Sequence, residues 1–556
     1  MRLIAGVDVG NTTTEVVLAD AAAHPPTPLA WDRAPTRGTK GSAASLAGAA
    51  ALVRRLERRL ARPAEVVCVA VQRPVETRTQ SFAQPLPPTG RLRVIGTGGP
   101  TSRGEGVAVG TPVWVGQTPR SGGGPVVLLA AAGTGYSATA HAVQTWVAAG
   151  ADVRGVLLAD DEGVLVANRL PLRLPVLDEV DVVAVASARL VAMEIRAPGH
   201  ALRDLGDPLR LARLLGLEPE DQAGAAALTD ALADASRAVV TLEPGPATAV
   251  SAAPIEVELR ATGRRVALDR DTLAGARVAS VAGLWLPEPP GTRLPVDDVW
   301  AVELREVAAS VAARVDPATS RAVVVAALRA DTVPLDPSAA LQTELTGQVR
   351  LVGSEATAAR VGALSTPGAS PEALVIDMGG GTIDLVAASG AQVIVAGAGE
   401  MVTACVAAFQ GLPLGAADWV KRGPAARLET PQILQHEDGT RELLSAPAPT
   451  AAVGSLVVAG PSGLLAFGTQ TAPAAWRALR VRTKQRVLAD NLARALRSLG
   501  QRPTEVILVG GVAGDEELLA LLRPHLPGLA FGRADVAGLL GHRYAVAYGL
   551  AALASA

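Results

Sequence analysis

Three glycine-bearing turns, each closing an apolar run, hold the residues best suited to chemistry. They are Asp8-Val9-Gly10-Asn11-Thr12-Thr13-Thr14, Asp377-Met378-Gly379-Gly380-Gly381-Thr382-Ile383-Asp384 and Val509-Gly510-Gly511-Val512-Ala513. Glycine lets backbone N–H groups approach phosphate oxygens with no Cβ in the way, and Asn11, Thr12, Thr13 and Thr382 add donors to the same oxygens. An aspartate just before such a turn repels phosphate but can hold Mg²⁺, directly or through water, and Mg²⁺ neutralises phosphate oxygens. The third turn has neither hydroxyl nor acid, so Gly510 and Gly511 suit an adenosine or ribose contact. A lone Asp-x-Gly turn is usually only a tight turn. Two of them with nearby threonines, followed by a late strand ending in Gly-Gly, point to a nucleotide.

The elements that position these turns can be read from the hydrophobic pattern. Leu3–Val9 and Thr14–Leu18, broken at Gly10-Asn11, predict a β-hairpin. ALVIDMGGGTIDLVAAS over 373–389 repeats that shape, so two similar hairpins suggest a duplicated architecture. A helical pattern covers 42–61, a short buried strand 65–71, and a further strand, EVILVGG, 505–511. Helices are expected over 480–499 and at the closing HRYAVAYGLAAL, and MVTACVAAFQG after the second hairpin is also helical. Between about 84 and 121 the chain turns rich in Gly, Pro, Thr and Arg. Strand 125–131, helix 137–149, strand 153–159 and a hairpin-like VLVANRL follow, an α/β module with its own sheet. The segment 422–447 reads as a Pro-rich, charge-rich patch.

Composition narrows the function classes. The 556 residues carry a formal net charge of −2 and are 49% hydrophobic, which excludes a disordered chain and gives no footprint for nucleic acid. Aromatics are only 3%, so the core is aliphatic. Cys68 and Cys405 are far apart in apolar contexts and read as reduced core thiols. Apolar runs are too short for a membrane span and the N-terminus lacks a signal-peptide core, so a soluble cytoplasmic protein is expected. The six histidines show no ligand spacing, and GxxxxGK[ST] is missing, which removes the Walker class.

The order of the three turns resembles the actin/Hsp70/sugar-kinase superfamily, and Asp377–Asp384 is close to the Hsp70 second phosphate motif. The resemblance implies an α/β fold of two ribonuclease-H-like halves that close on ATP and open on ADP. It implies that Asp8 and Asp377 bracket Mg²⁺ and the attacking water, and that Asp418 and Lys421 of Asp418-Trp419-Val420-Lys421 lie near the adenosine.

Over nearly the whole chain the sequence is also similar to the large subunit of diol/glycerol dehydratase reactivase. The strings that carry this are IAGVDVGNTTTEVVLA (4–19), GVLLADDEGVLVANRLPLRLPVLDEV (155–180), GALSTPG (362–368), AGAGEMVT (396–403), HEDGT (436–440) and VILVGG (506–511). The family implies an ATP-driven chaperone that works with a small reactivase subunit, in a heterodimer or heterotetramer, on an inactivated adenosylcobalamin-dependent dehydratase. It implies an ATPase domain over 1–85, an inserted swivelling, partner-binding domain over 86–255, a linking part over 256–365 and a second ATPase half over 366–556. It further implies an Mg²⁺ or Ca²⁺ ion at the small-subunit interface, with Asp161 and Asp178 as carboxylate ligands and Arg93 falling where the family has a hydroxyl. On the residues alone, Asp161 is a turn residue and Asp178 a cap. The run SFAQPLPPTGRLR (81–93) departs from the family's acidic, Thr-rich pattern. A small-molecule kinase, an actin-like filament protein and an iron–sulfur activator share the turns and stay open as alternatives.

Overall fold

The computed structural model describes residues 2–72, 76–83, 89–96, 102–119, 121–197, 200–232, 235–244, 255–268, 280–286, 291–311, 322–329, 334–468, 471–501 and 503–555. The chain divides into two compact units, one of Met1–Phe82, Pro254–Ala313 and Val323–Ala556, the other of Ala83–Ala253 with Arg314–Ala322.

In the first unit the apolar runs become two five-stranded sheets of one topology. The first sheet uses β1 (Leu3–Val9), β2 (Thr13–Asp20), β3 (Thr27–Pro35), β4 (Val66–Val69) and β5 (Gln348–Leu351) in the order β5-β4-β1-β2-β3. The second uses β6 (Leu374–Met378), β7 (Thr382–Val386), β8 (Gln392–Ala396), β9 (Glu505–Val509) and β10 (Ala530–Arg533) in the order β8-β7-β6-β9-β10. In each, an antiparallel meander of three strands is extended by two strands parallel to the first. That is the ribonuclease-H-like pattern, present twice, and it makes the unit an actin-like α/β fold. The central strands are covered on both faces, which is why LIAGVDV and LVIDM are almost unbroken apolar runs.

Helices cover the sheets. Those used below are α1 (Ala43–Leu60), α2 (Glu355–Leu364), α3 (Gly399–Gln410), α4 (Leu414–Val420), α5 (Pro473–Lys484) and α6 (Ala545–Leu553). Helix α1 starts at Ser42, whose hydroxyl accepts the Ser45 N–H, and packs Leu46, Leu52, Val53 and Leu56 onto the first sheet. Helices α2 and α6 touch backbone to backbone. A Cβ at Gly362 would meet the Ala545 carbonyl, and one at Gly549 the Ala358 carbonyl. Only glycine permits that approach, while Ser354 caps the start of α2 by accepting the Thr357 N–H.

The helix expected over 480–499 is present and continues α5 without interruption, passing through a π-helical turn at Gln485–Ala489 into Asp490–Leu499. Beyond the π turn, Arg494 reaches Asp298 with both guanidinium arms, at 2.8 and 2.6 Å. Asn491, beside it, donates to the carbonyls of Ala396 and Gly397 at 2.7 and 3.0 Å, and Asp298 accepts the Ala396 N–H at 2.8 Å. This buried group clamps the end of β8 and thereby the turn that leads into α3. The patch at 422–447 holds strands Ala426–Thr430, Ile433–His436 and Arg441–Leu443, part of a five-stranded antiparallel sheet completed by Leu456–Gly460 and Gly463–Phe467.

The second unit has a seven-stranded mixed sheet, with Val176–Leu177 at one edge and Leu92–Gly96 at the other. The expected hairpin at VLVANRL is instead a short helix, Gly163–Ala167. Its first N–H is taken by the Asp178 carboxylate at 2.9 Å, a long-range cap that overrides the β preference of Val164-Leu165-Val166.

Removing Arg494 alone leaves the Asp298 carboxylate buried without its partner. Arg494→Leu is therefore expected to cost about 3–5 kcal/mol, read as lost urea stability of the first unit, whereas an exposed pair such as Arg62–Glu65 should contribute under about 1 kcal/mol.

Candidate nucleotide site

The two Asp-x-Gly turns are built alike. Gly10 N–H donates to the Thr13 carbonyl at 3.0 Å, and Gly379 N–H to the Thr382 carbonyl, also at 3.0 Å. Behind each turn the hairpin register sets two acids side by side, Asp8 opposite Glu15 and Asp377 opposite Asp384. Thr36, at the end of β3, braces the first turn: its hydroxyl donates to the Gly10 carbonyl at 2.7 Å, and its N–H donates to the Thr12 carbonyl at 3.0 Å. Asn11 and Thr12 are exposed and Thr13 is half-buried.

The second turn is held from outside by AGAGE. Gly397 N–H donates to the Gly381 carbonyl at 2.9 Å, Glu400 N–H to that of Gly380 at 2.7 Å and Gly399 N–H to that of Gly379 at 3.3 Å. Gly380 carries no Cβ where the Thr12 hydroxyl and the Glu400 carboxylate meet, at 3.0 Å from each other. Thr382, at the turn's end, donates its hydroxyl to Asp384 at 2.8 Å.

The acids facing these turns share one cation. Lys40 is buried and its ammonium lies 2.7 Å from Glu355, the first residue of α2. Burial pushes the Asp8 carboxyl up to about 7, with Glu355 and Asp377 adding to the rise and Lys40 opposing it. Burial likewise raises Asp377 to about 7, aided by the charges of Asp384 and Glu355. Asp384 rises to about 6 by burial, moderated by the Thr382 hydroxyl and Lys40. Glu15 rises to about 8, again by burial first and Asp8 second. Glu355 Oε1 is buried and has no hydrogen-bond partner among the described residues.

The third turn closes against the second. Gly510 takes φ +88°, and a Cβ there would run into the Asp377 carboxylate, so the turn needs glycine twice over. His542 holds it from the far side, its Nδ1 2.8 Å from the Gly510 carbonyl and its own carbonyl accepting the Gly510 N–H at 2.9 Å. Beside Gly511 stands Arg543. Lys421, at the end of α4, donates to the Gly399 carbonyl at 2.8 Å and the Thr403 hydroxyl at 2.6 Å, and pairs with Asp418 at 2.8 Å. Arg422 also binds Asp418 and lies over the Trp419 ring, 4.4 Å from its centre. Just past the third turn, Asp515 and Glu517 meet two buried cations of α5: Lys484 binds both, and Arg480 joins Glu517 to Glu437 of the HEDGT turn.

Thus the structure brings Asp8, Thr12, Asp377, Gly380 and Gly510 together, with Lys421 and Asp418 on the adjoining helix. Sequence reasoning missed Lys40, Glu355, Glu400, Glu15 and Arg422. A signal existed for the first. The chain has only three lysines, Lys40, Lys421 and Lys484, against a background of arginine; all three are acid-bound, Lys40 and Lys484 buried and Lys421 half-buried. A compact ammonium kept in an arginine-rich chain marks places where a planar fork does not serve.

In the second unit Asp161 is exposed and Asp178 fully buried. Asp178 accepts the Ser102 hydroxyl at 2.6 Å and, as noted, caps the helix at Gly163. The hydroxyl beside Asp178 is therefore Ser102, which corrects the placement of Arg93 there. Arg93 sits on the opposite edge strand, paired with Thr241, while the bridge from Arg103 to Val176 carries Ser102 to Asp178. Among the described residues no three His, Cys, Asp or Glu side chains converge as a metal-holding group, and no single helix is long and apolar enough to cross a membrane.

Comparison with known proteins agrees with this geometry. Residues 287–554 match the diol dehydratase reactivase ATPase-like domain and residues 92–247 the swiveling domain of diol dehydratase-reactivating factor. The chain is 30% identical to the diol dehydratase-reactivating factor large subunit of Klebsiella michiganensis, over 99% of this chain and 98% of that one. It is 29% identical to the propanediol dehydratase-reactivating factor large subunit of Salmonella typhimurium at the same coverage. Among solved structures, diol dehydratase-reactivating factor in nucleotide-free form superposes with a TM-score of 0.65 and 26% identity over 100% of both chains. A glycerol dehydratase reactivase gives 0.64 and 26%, over 99% of both.

The charge network behind the third turn gives a pH test. Burial alone would raise Glu517, but Arg480 and Lys484 hold it down to about 2 from an ordinary 4.5. A carboxylate lowered in the fold contributes stability in full above about pH 4.5 and loses it as pH falls toward 2. The melting-temperature difference between wild type and Glu517→Gln should accordingly be largest at neutral pH and shrink below pH 4.5.

Proposed function

The chain belongs to the family of dehydratase-reactivating factor large subunits, and from that premise we propose that it binds and hydrolyses ATP to reactivate an inactivated adenosylcobalamin-dependent diol or glycerol dehydratase. In this reading it acts with a small reactivase subunit, and release of the damaged cofactor follows from a change in how tightly the complex holds its client. The observation that carries it is the paired construction of the first unit. Two glycine turns with identical internal hydrogen bonds face one another across the Thr12–Glu400 contact, each backed by a cross-strand acid pair.

The donors for the phosphates would be the N–H groups and side chains of Asn11, Thr12, Thr13, Gly379, Gly380, Gly381 and Thr382. Asp418, Lys421, Gly510 and Gly511 would border the nucleoside, and Arg422, fixed on Trp419, offers a flat cation against a base. The residues fit a divalent cation. Asp8 and Asp377 are recessed carboxylates whose charges oppose each other, and Glu355 presents an oxygen with no hydrogen-bond partner among the described residues. With no group of three His, Cys, Asp or Glu ligands among the described residues, such a cation would be held through these acids, water and phosphate, as Mg²⁺ usually is. When bound, Mg²⁺ would neutralise the phosphate oxygens. Asp377 would orient the attacking water, and Lys40 pairs with Glu355 and favours the ionised form of Asp8. In the second unit, Ser102, Asp161 and Asp178 are the proposed ligands of an Mg²⁺ or Ca²⁺ ion shared with the small subunit. They supply the hard oxygens such ions take.

The test is reactivation. Glycerol-inactivated dehydratase is incubated with this chain, its small subunit, ATP, Mg²⁺ and fresh adenosylcobalamin, and dehydratase activity is followed. Recovery should require ATP, and Asp8→Ala, Asp377→Ala or Lys40→Ala should lower ATP turnover by about 10²-fold or more and abolish recovery. Recovery that survives both aspartate substitutions would remove the nucleotide site from the reaction.

A further inference from the structure

One carboxylate at the glycine turns engages a hydroxyl of the opposite half. Glu400, in the first turn of α3, aims its carboxylate at the Thr12 hydroxyl and receives its hydrogen at 3.0 Å. Thr12 belongs to the turn of the first half and Glu400 to the helix that cradles the turn of the second, so this hydrogen bond joins the two halves of the first unit across the place where their turns meet. The glycine at 380 keeps that place open, since any Cβ there would strike both side chains. Glu400 is also anchored by its own N–H to the Gly380 carbonyl at 2.7 Å. Its carboxylate therefore sits where a phosphate oxygen seeking Thr12 must arrive.

We propose that Glu400 is an internal rival of the nucleotide's phosphates, a clasp that holds Thr12 and both halves together until a phosphate takes the hydroxyl. The inference rests on the nucleotide reading of the same site. Phosphate and carboxylate compete for one donor and repel each other, so binding breaks the clasp. The released carboxylate has somewhere to go. It stays at the N-terminus of α3, where negative charge is stabilised, and within the field of Lys421, whose ammonium binds the Gly399 carbonyl next door. Two alternative partners for one side chain give a bistable element biased by phosphate. Because the repulsion grows with phosphate charge, the clasp lowers affinity for a triphosphate more than for a diphosphate and so narrows the preference between them. Glu400 is on this account a positioning residue that sets nucleotide discrimination.

Calorimetric titration of the full chain with ADP and with a non-hydrolysable ATP analogue, in Mg²⁺, tests it. Glu400→Gln, which keeps the shape and removes the charge, should tighten the triphosphate roughly tenfold and the diphosphate by less. Glu400→Ala, which removes the clasp altogether, should do the same, and the melting temperature of each variant checks that it is folded. A merely structural glutamate gives the opposite sign, since its loss loosens the turn and weakens both ligands. Wild-type binding with no tightening in either folded variant overturns the clasp and leaves the nucleotide site standing. Failure of every form, wild type included, to bind either nucleotide overturns the site and the clasp with it.

Discussion

Four carboxyl groups, Asp8, Asp377, Asp384 and Glu355, feel one another's charge around a single ammonium, Lys40, where water reaches poorly. Such a group is costly to assemble, because burial and like charge both oppose ionisation. The rest of the first unit can be understood as the scaffold that enforces it. Two hairpins fix the cross-strand pairs by register. The glycine contacts hold α2, whose first residue is Glu355, tightly against α6. The clamp of Asp298, Asn491 and Arg494 holds the strand end from which AGAGE turns back onto the second glycine loop. A site that is unfavourably charged on its own has a large electrostatic gain available from a cation and a polyphosphate together.

The third turn links that gain to something distant. Gly510 lies against Asp377, and a few residues later Asp515 and Glu517 are held by Lys484 and Arg480, the latter fully buried. Arg480 continues to Glu437 in the HEDGT turn of the small antiparallel sheet. Buried ion pairs of this kind are weak evidence for stability, and registry is their best-attested use. Here the register they fix is that of the small sheet relative to the nucleotide turn, so a displacement at Gly510 need not dissipate in loops. Lys421, Asp418 and Arg422 sit on the same side, between α3 and that sheet.

How much of this was legible in the sequence varied with the range of the interaction. The glycine turns and their strands were readable because a fully buried strand and a tight turn leave local signatures. The duplication was readable for the same reason. The acid pairs were half-visible: Asp8 and Asp377 stand in the motifs, but Glu15 and Asp384 count as site neighbours only once the hairpin register is drawn. Lys40 and Glu355 are 315 residues apart and meet through tertiary packing, which no local pattern reports. The strands at 426–443 were hidden because charged residues occupy their exposed positions and prolines interrupt the segment around them. At 163–167 a local β preference lost to one carboxylate arriving from Asp178. Ser102 was mistaken for Arg93 because the glycine-rich stretch between them offers no register to count along.

If phosphate occupancy is transmitted outward from these turns, the nucleotide must change how tightly the assembled factor holds an inactivated dehydratase, since a ligand that treats two conformers alike shifts nothing. The most direct measurement is the dissociation constant between the factor, with its small subunit, and inactivated dehydratase, taken once in ADP and once in a non-hydrolysable ATP analogue. The two constants should differ by at least about tenfold, a coupling near 1.4 kcal/mol, with the difference lost in Asp377→Ala. Equal constants in the two nucleotides, with both nucleotides demonstrably bound, would contradict it.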